Sequence, residues 1–440
     1  MRKRTEKVER KQPVLRLAEA RRLEGALYPT ERLRQLLMPM VSGAAETRRG
    51  LMAWSHQLGV EALQDIFEAD VERIVGPKGK HAAVRYHNRW GSTRTELEFG
   101  GRRISVARPR VRQRGGSEVE LPTVRQLQTF DPLPETVLNQ ILVGVSTRAY
   151  DASVPAPPLG TRSRGTSRSA VSRQLVRKMG EKMKASLTSS LAEVRLVGLL
   201  IDGLGVGEHT IVVALGVTPE GKKIPLGLHQ GSTENGVVCT ALLNKLIERG
   251  LKIEDPLLCV IDGGKGIRKA LRDVLGHLGV VQRCQVHKRR NVRDHLPRHR
   301  QKIIDRQIRE AYNSPTADLA RKRLRQTISW LARNGEDSAA ESLKEGIEET
   351  LTVLKLRLPD VLRRFFSSTN AIENLMGSIR KVTRNVKRWR SDNMARRWVA
   401  VGIDQARTRF NNIKGHKNLP VLVAALRVHA KTLDLQEQVS

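Results

Sequence analysis

Two short apolar runs in this chain end in the same way, with an aspartate followed by glycine. One run reaches Asp202 and the other reaches Asp262. Short apolar runs bounded by glycine are typical of strands that are buried on both faces in α/β proteins. Ligands bind at the carboxyl ends of such strands. Each aspartate is therefore a candidate site residue, with a turn residue as the alternative.

The elements around these aspartates predict a mixed sheet. After the strand at Asp202, residues 209–231 alternate around "TPEGKK", as in a β-hairpin. Residues 233–250 have the apolar spacing of a helix, and two more strands with a helix between them are predicted over 256–292. Hairpins give antiparallel neighbours and crossover helices give parallel ones, so the predicted sheet contains both.

The charge of the chain indicates its partner. The chain has 79 Lys and Arg against 45 Asp and Glu, a formal net charge of +34. Nucleic acid is the natural partner, because each neutralised phosphate releases counterions. An anionic membrane is the alternative, but no apolar run approaches the roughly 18 residues of a membrane span. No apolar core follows the basic start, so we expect a location in the cytosol, or in the nucleus of a eukaryote.

The cysteines indicate a reducing compartment. Cys239, Cys259 and Cys284 are too few and odd in number for a disulfide framework. Cys284 and His287 have the spacing of half a zinc site, but no second pair of suitable spacing is present. The sequence therefore argues against a structural zinc and favours a hydrogen-bonded or packed Cys–His pair near the site.

The first part of the chain predicts helices followed by a small sheet. Residues 1–80 have helical character, whereas residues 85–116 alternate around "FGGRR" and predict a basic β-hairpin. Tyr86, Trp90 and Phe99 lie among its arginines and either pack against the strands or stack on bases.

Two helices are predicted on either side of a Pro/Gly linker at 154–166. The first covers 133–150, and the second covers 166–183, is basic and begins with hydroxyl residues that could cap it. The pair suggests a helix-turn-helix with Arg173 and Arg177 as DNA contacts, and a solvated basic helix is the alternative.

A metal site is the chemistry that the carboxylates favour. Two neighbouring carboxylates repel each other unless a cation lies between them. Oxygen ligands suit Mg²⁺ or Mn²⁺, and two such ions can stabilise the attacking and leaving oxygens of a phosphoryl displacement. Glu373 is the candidate third ligand. With Asn370 as the helix N-cap, Glu373 would complete a capping box, and the two roles are compatible.

Basic residues follow these candidates in the sequence. A helix is predicted over 365–390, on which Gly377, Arg380, Arg384 and Lys387 share the face of Glu373. The predicted phosphate contacts are Lys288, Arg289, Arg290, Arg380, Arg384, Lys387 and Arg388.

The glycine-rich segments do not match nucleotide-binding loops. "DGGKGIRK" lacks the G-x-x-x-x-G-K-[ST] pattern, and "DGLGVGEH" has the spacing G-x-G-x-G and opens no helix. An ATPase or a dinucleotide enzyme is therefore disfavoured, and we expect no nucleotide cofactor.

Several spaced segments resemble the Mutator-like transposases of bacterial insertion sequences, a branch of the DDE transposases. They are "GTSRSAVSRQLV", "LLIDGLGVGEHTIVVALGV", "STENGVVCTALLNKLIERGL", "VIDGGKGIRKAL", "VQRCQVHKRRNV" and "STNAIENLMGSIRKVTRNVKRW". The resemblance implies an RNase H-like fold in which Asp202, Asp262 and Glu373 are the DDE triad and hold two Mg²⁺ (or Mn²⁺) ions. It also implies an accessory role for Cys284 and His287.

The resemblance, which covers about 160–400, and the elements predicted before it together give a fold class and a division of the chain. The class is an α/β RNase H-like catalytic core with a mixed sheet and an all-helical insertion, preceded by a mixed α/β N-terminal DNA-binding region. The predicted segments are an N-terminal DNA-binding or oligomerisation region at 1–130, a helix-turn-helix-like segment at 131–190, the first part of the core at 191–288, the helical insertion at 289–362, the final core helices at 363–412 and a tail at 413–440.

The implied function is a DNA transposase that binds terminal inverted repeats and catalyses metal-dependent strand cleavage and strand transfer. The expected partners are double-stranded DNA at the element ends and target, and at least one more copy of the chain, since two ends must be joined. No membrane partner is expected, and in a bacterium the expected location is the cytoplasm, in association with the nucleoid. The alternatives are a DNA-binding regulator with an inert RNase H-like domain and a nuclease of the same fold.

Overall fold

The computed structural model describes residues 45–80, 86–129, 131–158, 161–231 and 236–437. The chain divides into two compact units, one of Met1–Ile141 with Val145–Ser172 and the other of Leu142–Gly144 with Arg173–Ser440. The helices predicted before residue 45 lie outside the described residues.

The first unit contains a long helix and a small antiparallel sheet. Helix α1 (Ala45–Val75) packs on the hairpin of β1 (His87–Phe99) and β2 (Arg102–Gln113). Short strands β3 (Glu118–Val119) and β4 (Ser163–Arg164) both pair with β2. Alternating apolar strand residues meet the helix in a core that includes Phe67, Val71, Ile104, Val106 and Val111. The predicted hairpin is confirmed.

The three aromatic residues of the hairpin region differ in environment. Phe99 packs against the core of the unit, as the packing alternative predicts. Tyr86 and Trp90 are exposed, and the Arg112 guanidinium carbon lies 4.6 Å from the centroid of the Trp90 ring. Packing in a core therefore accounts for Phe99 but not for Trp90, whose ring is accessible and stacked with a cation.

The predicted helix-turn-helix is not formed. After α2 (Pro122–Thr129), the helix predicted at 133–150 is divided into α3 (Leu133–Leu142) and α4 (Tyr150–Ser153). The next helix is α5 (Arg168–Thr188), and strand β4 lies between α4 and α5. Gly144, with a φ of +110°, lies just after α3. The connection is much longer than the three or four residues of a helix-turn-helix.

The second unit is built on a mixed sheet. Strands β5 (Gly198–Val206), β6 (His209–Val217) and β7 (Lys223–Gly231) form an antiparallel meander. Strand β8 (Leu257–Ile261) pairs with β5 in parallel, and β9 (Gly279–Arg283) pairs with β8 in parallel. The order across the sheet is β7-β6-β5-β8-β9. The mixed sheet predicted from the order of the elements is confirmed.

One face of this sheet is covered by α6 (Gly236–Glu248) and α7 (Lys265–Leu275). Residues Leu199, Ile201 and Ile261 point to this face and are fully buried. Because other helices cover the opposite face, the strands are apolar along nearly their whole length rather than alternating.

A series of helices follows β9, over the segment where the helical insertion is predicted. They are α8 (Gln285–Asp294), α9 (Arg298–Tyr312), α10 (Ala317–Arg333), α11 (Asp337–Lys344), α12 (Ile347–Thr350), α13 (Thr352–Lys355) and α14 (Asp360–Phe366). Apart from α14, which packs in the core of the sheet, their apolar faces form a separate core that includes Ile304, Leu324, Leu331 and Leu343. The helical character predicted for 289–362 is confirmed.

The last helices cover the second face of the sheet. They are α15 (Asn370–Thr383), α16 (Asp392–Arg407) and α17 (Leu419–Glu437), and they bury residues such as Ile372 and Val399 against the strands. No helix in the described part of the chain is long and apolar enough to cross a membrane.

Candidate active site

The parallel strands bring three predicted site residues, Asp202, Asp262 and Cys284, to the side of the sheet where the carboxyl ends of β8 and β9 lie. The β5–β8 ladder pairs Leu200 with Val260, and Asp202 and Asp262 each lie two residues further along. The β8–β9 ladder ends at Ile261 and Arg283, so Asp262 and Cys284 are the next residues of their segments. The backbone N–H of Cys284 donates to Ile261 O at 2.7 Å and continues the ladder.

Asp202 does not end its strand, contrary to the prediction. Strand β5 continues to Val206 because β6 pairs with it along its whole length, with Asp202 opposite Val213. The ladder with β8 ends earlier, at Leu200. Asp202 therefore marks the point where β5 loses its parallel neighbour. Asp262 directly follows β8, as predicted.

Each aspartate is oriented by a neighbouring backbone amide. Asp202 Oδ1 accepts a hydrogen bond from the Gly203 N–H at 2.9 Å, and Asp262 Oδ1 accepts one from the Gly264 N–H at 2.8 Å. The turn alternative applies to Asp262, which binds the backbone of the loop after β8, and does not exclude a role in a site. It does not apply to Asp202, which lies within β5.

Glu373 lies in the first turn of α15, but its cap differs from the prediction. The N-cap is Thr369 rather than Asn370, and the Thr369 hydroxyl donates to Glu373 Oε1 at 2.8 Å. The carboxylate is thus held by a side chain four residues earlier, not by the N-cap amide of a capping box. His287 Nε2 lies 3.8 Å from the same Oε1 atom.

Cys284 and His287 form the predicted hydrogen-bonded pair. Cys284 is the N-cap of α8, and its Sγ accepts from the His287 N–H at 3.5 Å and the Thr369 N–H at 3.4 Å. Burial opposes ionisation of this thiol, but the hydrogen bonds from His287 and Thr369 lower its pKa overall. The hydrogen bond with Cys284, and the charges of Glu373 and Asp202, raise the pKa of His287 against its burial.

The carboxylates share one electrostatic field. Burial, Asp262 and Glu373 together raise the pKa of Asp202 to about 6, although the Gly203 N–H and His287 act in the opposite direction. Nearby like charges disfavour ionisation, and a cation between them would reverse the effect.

The donor set fits a divalent cation in type and charge, because carboxylate oxygens are the ligands that Mg²⁺ and Mn²⁺ prefer. Over the described residues, however, no three His, Cys, Asp or Glu side chains are grouped so that they could hold one metal ion. Glu373 Oε1 is engaged by Thr369 instead. Asp202, Asp262 and Glu373 are therefore candidate ligands in chemistry, without a formed coordination shell.

The three basic residues after His287 are not equivalent. Lys288 is 1% exposed, and its Nζ donates to Ser342 O at 2.6 Å, which is at odds with the predicted phosphate contact. Arg289 forms a bidentate pair with Asp305, at 2.9 and 2.6 Å. Arg290 is exposed. A buried or paired cation is not available to DNA without losing its present partner, so Arg290 alone remains an accessible candidate among the three.

The predicted basic stripe does not lie on one helix. Helix α15 ends at Thr383, and Arg384, Lys387 and Arg388 follow it in an irregular segment. Thr, Asn and Val have modest helix propensity, and Trp389 packs against the core beyond the helix end. Arg380 and these three cations are nevertheless exposed, as are Arg173 and Arg177 on α5.

Two residues that the sequence analysis did not single out, Thr369 and Arg283, contact predicted site residues or their direct neighbours. Thr369 links Cys284 and Glu373, and its position four residues before Glu373 on a helix start is the signal that could have identified it. Arg283 lies against Gly263, next to Asp262, and bonds Glu345 in the insertion. Its partners are distant in sequence, so no local pattern indicates its role.

Known proteins are similar to this chain over most of its length. A family model described as "Transposase, Mutator family" matches residues 43–412. The chain is 26% identical over 334 residues to the transposase for insertion sequence element IS905 of Lactococcus lactis, covering 73% of this chain and 81% of that protein. It is 27% identical over 337 residues to the transposase for ISRM5 of Rhizobium meliloti, covering 73% and 79%. A shorter match, 30% identical over 180 residues, is to the transposase for IST2 of Acidithiobacillus ferrooxidans and covers 40% and 58%.

Proposed function

Because the chain belongs to the Mutator family of transposases, we propose that it cuts DNA at the ends of an insertion sequence and joins those ends to target DNA. The observation that supports this chemistry is the parallel register of β5 and β8, which places Asp202 and Asp262 two residues beyond the same pair of the ladder. We propose these three residues as the DDE triad. Relatives that align with most of the chain are named transposases for insertion sequence elements.

We further propose that the second unit is an RNase H-like core. The order β7-β6-β5-β8-β9 supports this, since an antiparallel meander is extended by parallel strands beside its first strand. Helices on both faces and an insertion before the final helices also fit the proposal.

In the proposed reaction, water attacks a phosphodiester at the element end and the bond to the 3′-oxygen breaks, leaving a free 3′-hydroxyl. That hydroxyl then attacks a phosphodiester of target DNA and displaces another 3′-oxygen. Two Mg²⁺ or Mn²⁺ ions, held by Asp202, Asp262 and Glu373, would supply Lewis-acid stabilisation of the attacking and leaving oxygens.

The other residues of the site orient the three carboxylates and offset part of their negative charge. The Gly203 and Gly264 amides each fix one aspartate oxygen, and the Thr369 hydroxyl fixes Glu373. A protonated His287, 3.8 Å from Glu373, would offset part of the negative charge when a DNA phosphate approaches. Orientation and electrostatics of this kind account for much of catalysis in phosphoryl transfer.

We propose that exposed cations bind the DNA backbone. Arg380, Arg384, Lys387 and Arg388 lie on or just after α15, the helix that bears Glu373. In the first unit, the accessible Trp90–Arg112 stack and the arginine-rich hairpin suit contact with the terminal inverted repeats. Because two ends must be joined, the active form would be a dimer or a larger assembly.

The experiment that tests the proposal uses purified full-length protein and labelled DNA carrying the sequences that flank its gene. Wild type should produce new 3′-ends and joined products only with Mg²⁺ or Mn²⁺. Asp262→Asn should bind the same DNA without cutting it. Asp273→Asn, the same change at an exposed carboxylate on α7, should cut like wild type.

The outcomes separate the candidate functions. Cleavage by Asp262→Asn at the wild-type rate would show that the triad assignment is wrong. Binding by wild type with no cleavage under any metal condition would indicate a regulator. Cleavage without joined products would indicate a nuclease.

A further inference from the structure

The loop after β8 is packed directly against an arginine from the next strand. Gly263 follows Asp262 and has a φ of +105°. A Cβ added at Gly263 would overlap Arg283 Nε and lie 2.6 Å from its Cζ. The Arg283 side chain therefore crosses the backbone of the residue beside the candidate metal ligand, and only glycine leaves room for it.

The same arginine is held by the helical insertion. Arg283 is 5% exposed, its Nη1 donates to Glu345 O at 3.2 Å, and its Nη2 donates to Glu345 Oε2 at 3.2 Å. Glu345 lies between α11 and α12, and the neighbouring Gly346 also contacts the guanidinium, since a Cβ there would lie 2.7 Å from Nη1. Arg283 is thus enclosed between the Asp262 loop and the turn of the insertion.

Lys288 is a second buried cation close to the Glu345 carboxylate. Lys288 Nζ lies 3.6 Å from Glu345 Oε2. Burial and Arg283 lower the pKa of Lys288 to about 8, whereas Glu345 acts to raise it. Without the Glu345 charge, Arg283 and Lys288 would keep carbonyl acceptors at Glu345 and Ser342 but would lose the carboxylate that lies against both of them. Proteins avoid poorly compensated buried cations by moving or neutralising one of them.

We propose that Glu345 is a positioning residue: through Arg283, it makes the helical insertion hold the Asp262 loop in its working conformation. The insertion would then set how well Asp262 can take up a metal ion. The importance of that effect for catalysis rests on the proposed function, but the mechanical link between insertion and loop does not.

A matched control lies in the same insertion. Glu341 of α11 pairs with Lys344 at 3.3 Å, and the Glu341 side chain is 73% exposed. Glu341→Gln therefore makes the same chemical change at an exposed pair. Such a pair contributes little to stability, because solvent screens it.

The experiment compares Glu345→Gln with Glu341→Gln in the full chain, first without metal or DNA. The reporter is the amide of Gly264, whose N–H donates to Asp262 Oδ1. Its hydrogen exchange should accelerate by about tenfold in Glu345→Gln, as expected when a hydrogen bond to a buried charge is lost. The exchange rate should stay within about twofold of wild type in Glu341→Gln. Glu345→Asp, which keeps the charge, should lie between the two.

A second measurement links the loop to the metal. In the cleavage assay, Glu345→Gln should need a several-fold higher Mn²⁺ concentration for half-maximal rate, with DNA affinity unchanged. Glu341→Gln should need the same Mn²⁺ concentration as wild type. This shift distinguishes positioning of the loop from a general loss of folding, which would lower DNA binding and the rate together.

The results would separate this proposal from the proposed function. Unchanged Gly264 exchange in Glu345→Gln, or equal acceleration in both Gln variants, would overturn the positioning role. If Glu345→Gln does not fold, Glu345→Asp replaces it in the test. A Gly264 amide that exchanges at the wild-type rate in Glu345→Asp would then overturn the positioning role. Faster exchange confined to the Glu345 variants would support it, even if the wild type proved unable to cut DNA.

Discussion

Replacing Asp202 with asparagine should stabilise the metal-free protein while abolishing cleavage. Asp202 is largely buried and lies near Asp262 and Glu373, and these influences raise its pKa from 3.8 to about 6. A raised carboxyl pKa means that the folded state disfavours the charged form. Asparagine keeps the shape and can still accept a hydrogen bond from the Gly203 N–H, but it removes one of the converging charges.

The size of the effect follows from linkage. A shift from 3.8 to about 6 corresponds to about 3 kcal/mol of lost folding free energy at neutral pH. Between these two values the folded protein binds more protons than the unfolded chain, so stability falls as the pH rises through that window. The gain from Asp202→Asn should therefore be full above the upper value and should vanish below the lower one.

The assay is chemical denaturation in EDTA at a series of pH values, with Asp273→Asn as the exposed control. Asp202→Asn should unfold at a higher denaturant midpoint at neutral pH and at the same midpoint as wild type near pH 3, whereas Asp273→Asn should follow wild type throughout. Equal or lower stability of Asp202→Asn at neutral pH would refute the electrostatic argument. Added Mn²⁺ should raise the midpoint of wild type more than that of Asp202→Asn, since a ligand that binds only the folded state stabilises it.

Three further outcomes are expected. Thr369→Val should lower the cleavage rate by about tenfold, because Glu373 loses its hydroxyl partner. Thr369→Ser should keep most of the rate. Equal cleavage rates in Thr369→Val and wild type would show that Thr369 has no role in the site. Gly207→Ala should lower the free energy of unfolding in urea by about 1–3 kcal/mol. An added Cβ would lie 2.5 Å from an indole carbon of Trp389, and the φ of Gly207 is +61°. Gly205→Ala should be nearly neutral, because a Cβ at Gly205 would enter open space. Arg384→Gln should reduce the slope of log affinity against log salt by about 0.9 if it binds one phosphate, and an unchanged slope would exclude that contact.

Local sequence patterns were sufficient for the strands of the central sheet and for the helices after it. The apolar runs before Asp202 and Asp262 predicted buried strands because strands covered on both faces have few polar positions. The alternation over 209–231 predicted the hairpin of β6 and β7, and helix periodicity predicted the helical character of 289–362. These features depend on side chains that are close in sequence and share one face, so the pattern records them directly.

The sequence placed several boundaries wrongly for reasons that involve distant partners. Strand β5 runs past Asp202 because β6 pairs with it to Val206. Helix α15 ends before Arg384, and the chain beyond it brings Trp389 against the core. The helix predicted over 133–150 is interrupted, and β4 joins the first sheet within the segment that was predicted as a Pro/Gly linker. Pairing and packing between remote segments decide such ends, and local propensity is too weak to oppose them.

By itself, the sequence determined which residue types could meet at the strand ends and that an acid on a later helix could join them. Only the tertiary structure decided their environment. It buried Asp202 enough to raise its pKa, attached Glu373 to Thr369 rather than to a capping amide, and took Lys288 out of reach of DNA by pairing it with Glu345. It also laid Arg283 across Gly263, a contact between segments that no periodicity relates. Electrostatic and packing energies depend on distance in space and on burial, and neither quantity is contained in the spacing of residues along the chain.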